Sequence, residues 1–271
     1  MARYDSEEGD GYSPNHAAVP ALVNPPVIFI APSERTAGSG EIWVAVSCND
    51  AEYGGCAVWV SNDTGTYYQI GELQGQSTQG LLVAALPAAT GVDTANLLQV
   101  DLSMSRGVLE AVSQQTVDRI DSLCYVGGEL LAYRDAVPMG AGQYNLGYLR
   151  RGMFGSVPGA ASGADFALLT GPVFHYRFNK NAVGGDIHFK FQGFNLYGGG
   201  LQDLADCVAY SVGVTHDGGI KALLSDIPIY TAGDNISIVD HVISATGGGG
   251  GVNIAMNDQI TGATATIVGS L

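Results

Sequence analysis

Basic side chains are scarce in this sequence. Its 271 residues include 11 lysines and arginines against 26 aspartates and glutamates, so the formal net charge is −15. Nucleic acids and anionic membranes are bound through basic patches, so this balance argues against either as a partner. No apolar run is long enough to cross a bilayer, and the acidic, polar opening does not resemble a secretory signal. We expect a chain that is made in the cytoplasm and exported only by another route, such as lysis.

The motifs of common catalytic and nucleotide-binding sites are also missing. The sequence has no GxSxG of serine hydrolases, no HExxH of zinc peptidases and no GxxxxGKS phosphate loop. We therefore predict that the protein is not an enzyme. We also predict no catalytic, cofactor-binding or metal-ligating residues and no bound cofactor.

Cysteine is rare and forms no CxxC pair. The four cysteines are Cys48, Cys56, Cys124 and Cys207. Cys48 and Cys56 could face each other across a hairpin, and the sequence leaves open whether they form a disulfide. Because cysteine is among the most buried residue types, we expect buried free thiols.

Three groups of polar residues allow both a functional and a structural interpretation. His175 and His188 could be two metal ligands, but no third ligand is evident. Asp203 and Asp206 could be the carboxylate pair of a glycosidase, although neighbours in a loop do not establish the facing geometry that this reaction needs. Calcium could be bound by several carboxylates, none of which follows the DxDxDG order: Asp5, Asp10, Asp50, Asp63, Asp217 and Asp234. We expect structural roles for all of them.

Two short motifs have similar alternatives. Residues 61–68, SNDTGTYY, are close to the aspartate box of propeller proteins. A propeller needs several copies at a regular period and this chain has one, so a hairpin turn is favoured. The Arg150 and Arg151 pair could clamp an anion, but a pair at a strand end more often caps carbonyls or forms an intersubunit ion pair.

The chain reads as mostly β. It contains 39 glycines and 46% apolar residues, and apolar and polar side chains alternate with the period of a strand. One helix is predicted, over 109–122. Strands are predicted at 27–31, 41–48, 56–62, 67–73, 80–86, 99–104, 166–169, 173–178, 186–194, 207–214, 227–239, 242–245, 252–256 and 263–268.

Residues 123–156 show this alternation most clearly. Two alternating runs flank a connection at 135–143 that contains Pro138, Gly140 and Gly142. Proline and glycine suit a loop better than a strand interior, so we predict a β-hairpin with a long loop.

Four segments make up the predicted organisation. Residues 1–26 form an extended N-terminal arm, 27–165 a β-sandwich or barrel domain, 166–215 a small fibronectin-like β domain, and 216–271 a β appendage with five successive glycines at 247–251 as a hinge. The appendage has few charges, so we expect it to be buried between copies in a homotrimer.

Four blocks of the sequence resemble one family. They are 54–71 (GGCAVWVSNDTGTYYQIG), 123–133 (LCYVGGELLAY), 148–155 (YLRRGMFG) and 187–204 (IHFKFQGFNLYGGGLQDL). In order and spacing they resemble the C-terminal region of phage tail-tip hub proteins, the host-specificity or tip-attachment proteins of long-tailed phages and gene transfer agents. The resemblance covers about residues 27–214. Members of that family are usually far longer.

The resemblance implies a virion structural protein. It would lie at the distal end of the tail, with threefold symmetry, and would link the tail-tip hub or baseplate to fibre proteins and to a host cell-surface receptor. An alternative is a carbohydrate-binding module that stacks glycans on Trp43, Trp59 or tyrosines, although both tryptophans lie in alternating strands that favour burial. A glycan-cleaving enzyme is a third hypothesis, for which the sequence nominates no carboxylate pair.

Overall fold

The structure, a computed structural model, describes residues 15–216 and two later strands. It is mostly β, as predicted, and it divides into two compact units, 1–221 and 222–271. The described elements of the first unit are β1 Val27–Ile30, β2 Glu41–Ala45, β3 Tyr53–Ser61, β4 Tyr68–Gln74, β5 Gln79–Leu82, β6 Gly91–Asp93, β7 Leu98–Asp101, α1 Gln114–Asp118, β8 Leu123–Val126, β9 Glu129–Gly140, β10 Gln143–Arg151, β11 Asp165–Leu168, β12 Phe174–Arg177, β13 Asp186–Asn195 and β14 Tyr210–Gly213. In the second unit, β15 Ile236–Val239 and β16 Val242–Ala245 form an antiparallel pair.

Six strands close into a barrel. The strand order around the barrel is β10-β7-β5-β11-β8-β9. Every neighbouring pair is antiparallel, and β9 pairs with β10 to close the barrel. β6 extends the wall beside the last residues of β10. Alternate side chains point inward and fill the interior, as in small closed barrels. This core contains Leu98, Val100, Cys124, Val126, Leu131, Tyr133, Leu146, Leu149 and Phe166.

Two open sheets lie beside the barrel. One has the order β1-β2-β12 and the other the order β14-β13-β3-β4. Ile42 and Val44 of the first pack against Val58 of the second and against Phe189 and Phe191, so the two sheets form a sandwich.

The three-stranded sheet is covered on both faces. Its other face carries Trp43 and Ala45, which pack on Leu123, Leu130 and Ala167 of the barrel wall. The near-continuous burial of β2 reflects this position between two cores, because a strand with only one covered face would alternate.

Most of the predicted strands are confirmed from β1 to β14, but two other predictions are wrong. The helix predicted over 109–122 is one short turn, Gln114–Asp118, with Ser113 as its N-cap. The loop predicted at 135–143 is strand up to Gly140, and β9 and β10 pair across it. Pro138 is compatible with a strand here because the other side of β9 is unpaired at this point among the described strands, so the missing N–H breaks no ladder.

The strand pairing adds to the predicted organisation. β12 and β13 lie in the predicted fibronectin-like segment, yet β12 pairs with β2 and β13 with β3. The sandwich is thus built from residues before and after the barrel. Of the predicted appendage, the strands β15 and β16 are found. The five-glycine hinge and the strands predicted at 252–256 and 263–268 lie outside the described residues.

No helix among the described residues is long and apolar enough to cross a membrane.

Candidate interaction site

The strands β8, β9 and β10 form an antiparallel meander in the barrel wall. β8 and β9 are joined at Gly127 and Gly128, whose φ values of 55° and 106° are left-handed and suit glycine. β9 begins and β10 ends in the barrel wall. The hairpin turn between them lies beside the end of β7, where the N–H of Leu102 donates to the carbonyl of Gly142 at 3.0 Å. The meander therefore joins a buried base to an exposed tip.

The base of the meander is fixed by Arg151, the last residue of β10. Its Nε atom lies 2.7 Å from Oε1 of Glu129 in β9, and its Nη2 atom lies 2.7 Å from Oε2 of the same carboxylate. Its Nη1 atom lies 2.9 Å from Oδ2 of Asp93 in β6, and Nη2 also donates to the carbonyl of Pro87 at 2.9 Å. The guanidinium is thus bidentate to one carboxylate and bonded to a second.

Backbone donors complete the coordination of Glu129. The N–H groups of Gly152 and Gly159 donate to its two oxygens at 3.0 and 2.8 Å. Gly152 has a φ of 62°, so the chain turns sharply enough after Arg151 for its own N–H to point back at the carboxylate. Both members of this ion pair have side chains with no exposed surface.

Asp93 is held as a carboxylate in the same cluster. Burial alone would raise the pKa of Asp93, but hydrogen bonds from Asn96, from the backbone of Ala95 and from Arg151 outweigh it and lower the pKa. Because buried charges are tolerated only when paired and hydrogen-bonded, the complete set of partners is what allows this cluster to exist. Its atoms are closed to substrate, so its function is to anchor the strands.

Arg150 has a separate function on the opposite side of the strand. Its guanidinium donates to the carbonyls of Val117 and Asp118 at the end of α1 and lies 3.6 Å from the Asp118 carboxylate. This confirms the carbonyl-capping interpretation of the pair. Within the chain, Arg150 pairs with Asp118, and Arg151 pairs with Glu129 and Asp93.

The tip of the β9–β10 hairpin presents apolar side chains to solvent. Burial decreases along β9, from fully covered at Leu131 to 53% exposed at Val137 and 59% at Met139. The turn at 140–142 has three successive left-handed residues, which reverse the chain sharply. Val137 and Met139 therefore give the free edge of β9 a small exposed apolar surface.

The histidine and tryptophan candidates lie in different places. His175 stacks on Trp43 with ring centroids 4.3 Å apart, whereas Nδ1 of His188 lies 2.7 Å from Oγ of Ser211 on another sheet. The structure therefore does not join the histidines into one metal site. Trp43 is buried against the barrel, and Trp59 is partly buried with its Nε1 donating to Gln192.

The carboxylate candidates serve turns. Asp203 accepts from the backbone of Ala205, and Asp206 donates its N–H to the Asp203 carbonyl. Asp63 accepts from Ser61 and from the backbones of Gly65 and Thr66, so the predicted hairpin turn is confirmed.

Asp50 binds the backbone N–H groups of Ala21 and Glu52. Within residues 15–216, no three His, Cys, Asp or Glu side chains are grouped to hold a metal. Asp5, Asp10, Asp217 and Asp234 lie outside the described residues.

All four cysteines are buried free thiols, as predicted, and Cys48 and Cys56 are not paired. Burial raises the pKa of the Cys56 thiol to about 12, and burial also raises the pKa of Cys124.

Sequence reasoning missed Glu129 and Asp93. Glu129 had a signal: it is a charged residue between two glycines and a run of leucines, where a strand should be apolar. Such a residue needs a buried partner, and Arg151 lies in the next strand. Asp93 is separated from both by a long stretch of sequence and had no comparable signal.

Comparison with known proteins gives one family match. The family model described as Rcc01698-like, C-terminal, matches residues 77–167. The match begins two residues before β5 and ends one residue before the end of β11, so it coincides with the barrel. The chain is therefore similar to this family over about a third of its length. No curated protein matches the sequence.

Proposed function

We propose that this chain is a structural protein of the distal end of a phage tail or of a related particle. It would connect the tail-tip hub to receptor-binding parts, and so serve attachment to the host by contact and not by catalysis. The four motif blocks support this proposal, and so does the family match, which contains the blocks at 123–133 and 148–155.

One observation supports it most. Glu129 from the first of these blocks and Arg151 from the second bind each other in the base of the meander, and neither side chain has exposed surface. These two residues of the family-like blocks therefore stabilise the fold, as expected in a structural protein. The hairpin tip with Val137 and Met139 is the surface that we assign to a neighbouring tail protein.

Immunogold labelling of purified particles tests the location. An antibody against the full chain should label one end of the tail. Label on the capsid, or its absence from particles while the free protein is abundant in the lysate, would contradict the proposal.

A pair of variants tests the hairpin tip. Val137→Asp combined with Met139→Ser should greatly reduce incorporation of the protein into particles, because a charge replaces the apolar contact surface. Val157→Asp is the matched control, since Val157 is 72% exposed and follows the end of β10 that is opposite to the hairpin turn. Equal incorporation of both proteins, at unchanged stability, would show that the tip is not the contact.

Binding of the wild-type chain to a glycan array would instead support the carbohydrate-binding alternative.

A further inference from the structure

The N-terminal arm lies in a groove lined by buried amide side chains. The groove is defined here by Asn195, Gly199, Gly200 and Gln202. The Nδ2 atom of Asn195 donates to the carbonyls of His16 and Ala18 at 2.9 and 2.8 Å. The Nε2 atom of Gln202 donates to those of Pro20 and Ala21 at 3.0 and 2.7 Å.

These amides are locked in position from behind. Oδ1 of Asn195 accepts from the backbone of Tyr197 and Gly199, and Oε1 of Gln202 accepts from Gly193. Asn195 has no exposed surface and Gln202 has 5%. Because their oxygens are already satisfied, their N–H groups point at the arm and need a carbonyl partner there.

The floor of the groove has room for a main chain only. A Cβ atom on Gly200 would overlap the carbonyl oxygen of Ala18, and Gly200 has a φ of 57°. A Cβ atom on Gly199 would lie 2.7 Å from the carbonyl oxygen of His16. The groove is therefore shaped for the close approach of a peptide main chain.

Very little of the arm's own side-chain surface is buried. From residue 15 to residue 22, only Pro20 is buried, while Val19 and Leu22 are at least half exposed. The arm is held mainly by its carbonyls, and little apolar surface is lost when it leaves. Few buried apolar contacts are one feature of segments that open locally.

From these contacts we infer that the arm is an exchangeable ligand and that, when copies of this chain associate, the arm of one copy occupies the groove of another. The amide N–H groups of Asn195 and Gln202 bond main-chain carbonyls, which an identical arm from a second copy supplies equally well. Exchange of an identical element is a low-cost way to link protomers.

The geometry limits how far the arm can reach. Asn24 is tied to Ser47 and to the carbonyl of Met104, so the described part of the arm that can exchange ends at residue 21 and the pivot lies at residues 22 and 23. Seven extended residues span roughly 25 Å at about 3.3–3.6 Å each, so the grooves of exchanging copies must lie within that distance of each other's pivots. This inference rests on the arm contacts alone and is independent of the proposed function.

Isotope-mixed crosslinking of the full chain tests it. A benzoylphenylalanine residue replaces His16, whose ring lies 4.4 Å from that of Tyr197 across the groove. Unlabelled and ¹⁵N-labelled proteins are unfolded together, refolded and irradiated over a series of increasing concentrations. The crosslinked products should include an arm peptide of one isotope joined to a groove peptide of the other. The share of these mixed pairs should rise with protein concentration until it equals the share of same-isotope pairs. Same-isotope pairs alone at every concentration would overturn the proposal.

Two glycine variants test the site. Gly200→Ala should abolish the mixed-isotope links, because the added methyl group displaces the arm. Gly198→Ala is the control, since Gly198 has a similar φ of 74° but open space around it, and it should keep the links. Mixed links that persist in Gly200→Ala would show that arms meet somewhere other than this groove.

Discussion

The guanidinium of Arg151 lies where water cannot reach it, so its free energy depends on the geometry of its partners. A lysine at this position could not reproduce the two parallel bonds to Glu129, because an ammonium group has no planar fork. Its neighbour Arg150 has a side chain that is 31% exposed and a looser contact with Asp118. The two adjacent arginines are therefore expected to contribute very different amounts to the free energy of unfolding.

Substitution of Arg151 by methionine should destabilise the fold strongly. It leaves Glu129 and Asp93 buried without their positive partner, and breaking a buried pair in this way costs about 3–5 kcal/mol. Urea unfolding monitored by far-UV circular dichroism measures the loss.

The matched control for this prediction is Arg150→Met, which should cost about 0–1 kcal/mol because exposed pairs contribute little. The triple variant Arg151→Met, Glu129→Gln, Asp93→Asn should recover part of the loss, since no unpaired charge remains. A triple variant no more stable than Arg151→Met would show that shape, and not charge, dominates at this site.

Asp93 should make stability sensitive to acid. Its folded-state pKa is lowered, so its carboxylate contributes stability that is complete above the unfolded value of about 3.9 and is lost as the pH falls through the folded-state pKa. The unfolding free energy of the wild type should therefore fall more steeply below about pH 4 than that of Asp93→Asn. Urea titrations across this range measure both slopes, and equal slopes would contradict the assignment.

At the residue scale, sequence patterns predicted burial better than partnership. The four thiols were predicted to be buried because that is the usual state of cysteine, and they are. The partners of Arg151 come from β6 and β9, and no local pattern says which strands will lie side by side. A three-dimensional contact between residues 93, 129 and 151 becomes visible only when the barrel is closed.

At the element scale, the alternation of apolar and polar residues predicted the strands well. Proline and glycine did not mark reliably where a strand ends. Pro138 and Gly140 suggested a loop, but the hairpin keeps both because its outer edge is unpaired among the described strands and its turn needs left-handed residues. The predicted helix lost most of its length because the chain on either side of α1 follows the barrel wall. Local propensity is a weak prior where tertiary contacts compete with it.

β5 supplies an element-scale prediction. A Cβ atom on Gly80 would overlap the carbonyl oxygen of Asp101 in the neighbouring strand β7. Gly80→Ala should thus push the two strands apart and cost about 1–3 kcal/mol, as overpacking does.

Gly171→Ala is the control for this variant, because nothing lies within 4 Å of its added methyl group and its φ is not left-handed. It should be neutral, or stabilising by up to about 1 kcal/mol. Thermal unfolding of the two variants compares them, and a neutral Gly80→Ala would mean that β5 and β7 can separate freely.

At the scale of the whole molecule, the barrel is inserted into the chain of the sandwich. The strands from 27 to 74 and from 174 to 213 build the two open sheets, and the segment between them closes into the barrel. The pairs β2–β12 and β3–β13 join residues more than a hundred positions apart. Patterns along the sequence show only consecutive segments, so they predicted separate domains one after another. The matched family covers the inserted barrel, so the sandwich is the part of the fold to which that similarity does not extend.

The shared three-stranded sheet should make barrel and sandwich unfold together. One face of this sheet belongs to the sandwich core and the other packs on the barrel, so loss of either partner exposes buried apolar surface. The chain has two tryptophans: Trp43 packs at the contact between the three-stranded sheet and the barrel, and Trp59 is partly buried in the four-stranded sheet. Trp43→Phe and Trp59→Phe each leave a single fluorescent reporter. In urea, the fluorescence midpoint of each variant should coincide with its own far-UV circular dichroism midpoint. A Trp43 signal that changes well before the dichroism, with Trp59 changing later, would show that the barrel detaches from a sandwich that stays folded.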